Sequence, residues 1–187
     1  KIFKKKYKIS KKFKKKLSKS NGKIIKFDKA FKFIAVATTN HQLQIYDSQK
    51  FNLINSFEAH SNFIFDLEFN PDTEKFIIYT ASEDNSIKAW DIILGKNVGV
   101  LSGHKTGVRH LTLTNDGKSL ISVGMDNQII LWKLQNNSNS IIKTYELDMI
   151  PPIESIYYFT RSLIDNTNPT GKELVPTLLT GCEDGSL

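Results

Sequence analysis

Alternation between apolar and polar positions is the dominant signal along this chain. In Phe63-Ile64-Phe65-Asp66-Leu67-Glu68-Phe69 the period of two puts Phe63, Phe65, Leu67 and Phe69 on one face of an extended segment, which predicts a strand. Val108, His110 and Thr112 alternate in the same way with Leu111 and Leu113. Asn70-Pro71-Asp72 and Asn115-Asp116-Gly117 follow these segments and read as turns, because Pro presets one backbone angle and Asn, Asp and Gly tolerate the others. A short apolar run follows each turn, Phe76–Tyr79 and Ser119–Ser122. A further run then ends in tryptophan, Ile87–Trp90 and Ile129–Trp132. Val98–Leu101 and Ile141–Tyr145 supply a fourth strand to each unit. The pattern is all-β, with four short antiparallel strands per unit.

The units repeat. Asp84 stands six residues before Trp90, Asp126 six before Trp132, and Asn40 six before Tyr46. A fourth copy starts at Leu178-Leu179-Thr180-Gly181-Cys182-Glu183-Asp184-Gly185. The intervals from Asn40 to Asp84, Asp126 and Asp184 are 44, 42 and 58 residues, the last lengthened by the polar stretch Asp165–Glu173. Four strands in about 40–45 residues, repeated, is the signature of a β-propeller blade. The expected division is a lysine-rich leader, or outer strand of a preceding blade, over 1–19. Blades follow over 20–59, 60–103 and 104–147, then a loop insertion with the start of a further blade over 148–187. About three blades and part of a fourth cannot close a ring. The reading is therefore of an incomplete propeller and a fragment, poorly soluble alone because its strand edges are exposed.

Composition narrows the class. The 187 residues are 40% hydrophobic and 24% charged, enough apolar content for a real core. No apolar run is long enough for a membrane-spanning helix, and residues 1–19 lack the apolar core of a secretory signal. One cysteine, Cys182, excludes an intrachain disulfide framework and a cysteine-rich zinc site. The net charge of +7 is uneven: residues 1–27 hold 13 lysines and no acid, leaving 13 basic against 19 acidic side chains in the rest.

The residues Ala59-His60, Gly103-His104, Tyr46-Asp47, Trp90-Asp91 and the turn residues Asp84, Asp126 and Asp184 make the sequence resemble the WD-repeat β-propeller family over about residues 20–187. Asn40, Tyr46, Ala59 and Lys133 depart from its pattern. The resemblance implies two buried hydrogen-bond networks, His60, Thr80, Asp84, Trp90 and His104, Ser122, Asp126, Trp132, each satisfying polar groups within a packed blade. The same residue types make a Ser/His/Asp triad. Their recurrence in consecutive units argues for structure, and no nucleophile elbow or phosphate-cradling glycine loop is present. His104 and His110 lie on a loop and a strand at a poor metal spacing. The expectation is of no enzyme activity, no cofactor, no metal and no small-molecule substrate.

Within the family, the junction Lys143-Thr144 to Pro151-Pro152-Ile153-Glu154-Ser155-Ile156 resembles the transducin-β-like nucleolar double-propeller subunits of the UTP-B complex. That resemblance implies a scaffold in ribosome biogenesis, acting in pre-rRNA processing and small-subunit processome assembly in the nucleolus. Its partners would be other protein subunits of a large complex, with pre-rRNA or small nucleolar RNA. Lys4, Lys5, Lys6, Lys11, Lys12, Lys14, Lys15 and Lys16, interleaved with Phe3, Tyr7 and Phe13, form a candidate RNA-contacting segment. A solvated strand or a nuclear-localisation signal reads equally from those residues. The alternative function is a generic WD-repeat adaptor, nuclear or cytoplasmic, that binds peptides. Its candidate face is Ser61, Asn62, Glu83, Lys105, Thr106, Met125 and Glu183, beside the histidines and turn aspartates.

Overall fold

The computed structural model describes residues 21–72, 74–134, 140–146, 153–164 and 172–182. The regular secondary structure of the described residues is fourteen strands, with no helix. The first sheet holds β1 (Gly22–Phe27), β2 (Phe33–Thr38), β3 (Gln42–Asp47) and β4 (Leu53–Glu58) in sequential order. The second holds β5 (Ile64–Phe69), β6 (Ile77–Ser82), β7 (Ser86–Asp91) and β8 (Lys96–Ser102). The third holds β9 (Val108–Leu113), β10 (Ser119–Gly124), β11 (Gln128–Lys133) and β12 (Ser140–Glu146). A long hairpin of β13 (Ile153–Ile164) and β14 (Lys172–Cys182) follows. Every pairing is antiparallel.

The first strands of successive units lie side by side: β5 packs against β1 and β9, and β9 against β13. The sheets therefore stack face to face around a common axis, and the core lies between them. Ala35, Ala37, Leu43 and Ile45 of the first sheet meet Ile64, Leu67, Ile78 and Trp90 of the second. Tyr79, Ala81, Ile87 and Ala89 on its other face meet Val108, Leu111, Leu120 and Trp132 of the third. Ile121, Val123 and Ile129 then meet Ile156, Tyr158 and Leu178 of the hairpin. A middle strand is thus buried on both sides, which is why β2, β6 and β10 share one burial pattern and are almost wholly apolar or small. This is an all-β, incomplete propeller.

The alternation at Phe63 is interrupted in the folded chain. Ile64 pairs with Ser82 and Asp66 with Ala81, so a β-bulge inserts an extra residue at Phe65. The bulge turns Ile64 inward, 2% exposed, and leaves Phe63 41% exposed, so Phe63 does not share the buried face of Leu67 and Phe69. The same irregularity recurs in β9, where Val123 pairs with His110 and Gly124 with Val108. In the last unit the described residues form a long hairpin: Ile164 pairs with Lys172, so its strands run about twice as long as those before it.

Candidate functional site

Two equivalent polar clusters sit where a loop of one unit meets the turn between the second and third strands of the same sheet. His60 precedes β5, and the turn joins β6 to β7. His60 Nε2 lies 2.6 Å from Thr80 Oγ1, and Trp90 Nε1 donates to the same oxygen over 3.0 Å. His60 Nδ1 lies 2.8 Å from Asp84 Oδ2. In the third sheet His104 Nε2 lies 2.7 Å from Ser122 Oγ, Trp132 Nε1 donates to that hydroxyl over 2.8 Å, and His104 Nδ1 lies 3.0 Å from Asp126 Oδ1. The indole can only donate and an ionised carboxylate can only accept. One direction therefore satisfies each chain: Trp N–H to hydroxyl, hydroxyl to imidazole Nε2, and imidazole Nδ1–H to Asp.

Burial sets the charges in the same sense. It drives both histidines below their ordinary 6.5, and the neighbouring carboxylates only partly restore them, so the imidazoles stay neutral. Burial also pushes the Asp84 carboxyl upward. Hydrogen bonds from Ser86, His60 and the Ser61 N–H, joined in acid by the positive charge His60 then carries, outweigh it and hold Asp84 down to about 2. Asp126 is lowered too: burial opposes the shift, but the Lys105 N–H and His104 prevail. Each aspartate also closes its own turn. Asp84 accepts the Ser86 N–H and Oγ–H, and Asp126 accepts the Gln128 N–H. Asn85 and Asn127, the next residues, take left-handed φ of 66° and 57°, which Asn adopts more readily than most side chains.

Beside these clusters the loops form a surface. Ser61, Lys105, Thr106 and Met125 are exposed, and Asn62 and Glu83 are half-buried. Their backbones are fixed: Ser61 N–H and Lys105 N–H donate to Asp84 and Asp126, Glu83 N–H to Phe63 O, and Met125 N–H to Gly107 O. Asn85 Nδ2 reaches Lys105 O at 3.4 Å, linking neighbouring units. Glu83 and Met125 flank Gly107, where an added β-carbon would come within 3.1 Å of Glu83 Cα and 3.2 Å of Met125 Sδ. A glycine is needed for that close approach.

The remaining candidates fall elsewhere. His110 belongs to a different layer, its Nδ1 3.9 Å from Asp66, whose carboxylate accepts the Leu111 N–H over 2.9 Å. No group of three metal-ligating side chains occurs among the described residues. Lys4, Lys5, Lys6, Lys11, Lys12, Lys14, Lys15 and Lys16, with Glu183 and Asp184, lie outside the described residues. Cys182 ends β14, and its side chain lies outside them as well. Sequence reasoning passed over Ser86, which holds Asp84 Oδ1 at 2.6 Å, and Ser82, whose Oγ accepts the Asp84 N–H. The serines flanking Glu83-Asp84-Asn85 were the available sign, since Ser side chains bond to nearby turn backbone.

Stacked four-stranded antiparallel sheets with this recurrent cluster define a β-propeller segment. Two of its repeats, residues 51–91 and 95–133, match the family described as WD domain, G-beta repeat. Among curated proteins, the LEC14B protein of Lithospermum erythrorhizon is 31% identical over 120 residues, covering 62% of this chain and 25% of that protein. The Denticleless protein homolog of Gallus gallus is 28% identical, covering 56% and 15%, and transducin beta-like protein 3 of Bos taurus 23% identical, covering 59% and 14%. The chain thus spans a quarter or less of the length of these relatives. A chain in the crystal structure of the mitotic checkpoint complex superposes with a TM-score of 0.64 at 22% identity, covering 72% of this chain and 39% of that one, a likeness of fold.

Proposed function

We propose that this chain is part of a non-catalytic scaffold that docks protein subunits on the loop face beside His60 and His104. The observation that carries the reading is that the residues best suited to chemistry are engaged with one another. Both nitrogens of each histidine have partners, and the hydroxyls of Thr80 and Ser122 are buried beneath them. What borders solvent is a rim of Ser61, Asn62, Glu83, Lys105, Thr106 and Met125, in which the backbone N–H groups of Ser61, Glu83, Lys105 and Met125 are pinned. The family's propellers are typically non-catalytic platforms, consistent with that division of roles.

The assembly we assign is the small-subunit processome, in the nucleus and its nucleolus. The support is the Lys143–Ile156 junction and the match to transducin beta-like protein 3. The lysines of 1–19 would then contact pre-rRNA or small nucleolar RNA. A second reading, an adaptor for another complex, is favoured by the higher identities to LEC14B and Denticleless proteins. Affinity purification of the full-length protein from nuclear extract separates them. Recovery of processome subunits with small nucleolar RNA is the expected result; recovery of an unrelated complex without RNA would replace the first reading by the second. Alanine at Glu83 and Met125 should weaken partner recovery, and unchanged recovery would remove this face from the proposal.

A further inference from the structure

The end of the molecule away from His60 and His104 carries an unexplained residue. The turn from β1 to β2 is closed by Phe31 N–H to Asp28 O, and the equivalent turn from β9 to β10 by Gly117 N–H to Thr114 O. Both closing residues are left-handed, Phe31 at φ 53° and Gly117 at φ 66°. Glycine takes that conformation without penalty, whereas a phenylalanine is strained in it. Burial of the ring does not compensate, since Phe31 is 68% exposed. The turn is nevertheless held in place. Asp28 accepts the Ala30 and Phe33 N–H groups, and Ser48 Oγ donates to Phe31 O. A strained, fixed, exposed aromatic points to a contact made outside the chain.

Its surroundings say what kind of contact. Phe27, 49% exposed, lies with its ring 6.1 Å from that of Phe31. Lys29 and Lys32 flank Phe31 and are exposed, while Asp28, the one acid between residues 21 and 33, is buried with its carboxylate turned onto the turn's own backbone. Beside Phe27 opens a cleft of about 270 Å³ whose walls include Tyr157, Asn115, Lys29 and the Lys26–Glu68 ion pair, 2.7 Å apart. Exposed rings, cations in excess of the one acid in the cleft, Glu68, which Lys26 neutralises, and a cleft with both aromatic walls and polar edges match the faces, phosphates and edges of unpaired nucleotides. An acidic peptide would use the lysines but not the paired rings beside a polar-edged cleft.

We propose that this end of the propeller binds single-stranded RNA. One base stacks on Phe31, the next enters the cleft beside Phe27 and Tyr157, and Lys29 and Lys32 meet the intervening phosphates. The site uses no residue of the lysine-rich segment 1–19 or of the loop face, and it stands whichever assembly the propeller serves.

The test is the affinity of the full chain for a fluorescein-labelled twelve-nucleotide oligouridine. Phe31→Gly keeps the left-handed turn and removes only the ring. It should leave the thermal midpoint unchanged or raised while weakening binding about tenfold. Lys29→Gln with Lys32→Gln should reduce the slope of log affinity against log salt by about 1.4, the value for two single-strand phosphate contacts. Cross-linking of 4-thiouridine oligomers to the unmodified chain should label peptides containing Phe27–Phe31 or Tyr157. Unchanged affinity in Phe31→Gly, or cross-links confined to residues 1–19, would overturn the proposal. So would loss of binding to an acidic, phenylalanine-containing peptide with RNA affinity intact, which would make the site a peptide site.

Discussion

The turn between β2 and β3 and its counterparts in the next two sheets share one backbone but are secured differently. In the second and third sheets the turn aspartate reaches a histidine more than twenty residues earlier in the chain, so the turn, the middle strand and the preceding loop are one unit. In the first sheet Asn40 stands at the aspartate position and Thr38 bonds it directly over 2.5 Å, a contact two residues long. Tyr46 replaces the tryptophan, and its hydroxyl reaches Gln44 on its own strand. The substitutions agree with each other. An aspartate needs a donor to justify a buried charge; with an amide in its place, the turn is satisfied locally. Long-range ties fasten sheets two and three to their loops, whereas the first sheet relies on apolar packing, with Ile34, Val36 and Tyr46 fully buried.

Removing a long-range tie should have the largest effect. His104→Ala removes the imidazole partner of both the buried Ser122 hydroxyl and the Asp126 carboxylate, and should cost about 3 kcal/mol in chemical denaturation, against less than about 1 kcal/mol for Asn40→Ala. Equal losses would erase the distinction between the sheets.

Acid should act next, and on the same sheets. His60 and His104 have folded pKa values below 6.5, so the unfolded chain takes up protons first and stability falls as pH drops below about 6.5. Asp84 is held at about 2 against an ordinary 3.8 and its side chain is 11% exposed. Its contribution, about 2 kcal/mol, is therefore present above pH 3.8 and lost as pH falls towards 2. Thermal midpoints between pH 7 and 2 should decline in two stages, and Asp84→Asn should flatten the lower one.

A smaller effect tests the other contrast, at the opposite turns. Phe51, φ 56°, and Gly95, φ 64°, close equivalent turns between the third and fourth strands. Phe51 packs on Ile34, Val36 and Tyr46, so Phe51→Gly should relieve strain yet lose packing, for a net loss of about 1 kcal/mol. Gly95→Ala should be clearly worse than an ordinary surface change, because its β-carbon would meet the Asn55 side chain as well as the disfavoured φ.

The fold was open to reading because period-two patterning and a fixed Asp-to-Trp spacing recur, and repetition separates signal from coincidence. The groups around His60 and His104 could be named for the same reason. What stayed hidden was whatever patterning cannot encode. At Phe63-Ile64-Phe65 every residue is apolar, so either face reads as buried and the bulge leaves no trace. Left-handed turns announce themselves through Asn or Gly, as at Asn85 and Gly117; Phe31, Phe51 and Phe76 take φ values of 53°, 56° and 48° with no such residue to mark them. The polar stretch Asp165–Glu173 reads as an insertion before the strand at Leu178, yet its last two residues, Lys172 and Glu173, already pair with Ile164 and Leu163.

The protein has two tryptophans, Trp90 and Trp132, and each indole N–H belongs to one of the two long-range ties. Trp90 also packs among Ala35, Leu43 and Ile45 of the first sheet and Trp132 against the second, so selectively excited tryptophan emission reports the two interfaces among the first three sheets and not the hairpin. Paired with far-ultraviolet dichroism, which sees every strand, the difference between the two melting curves would show whether the sheets come apart together or in sequence.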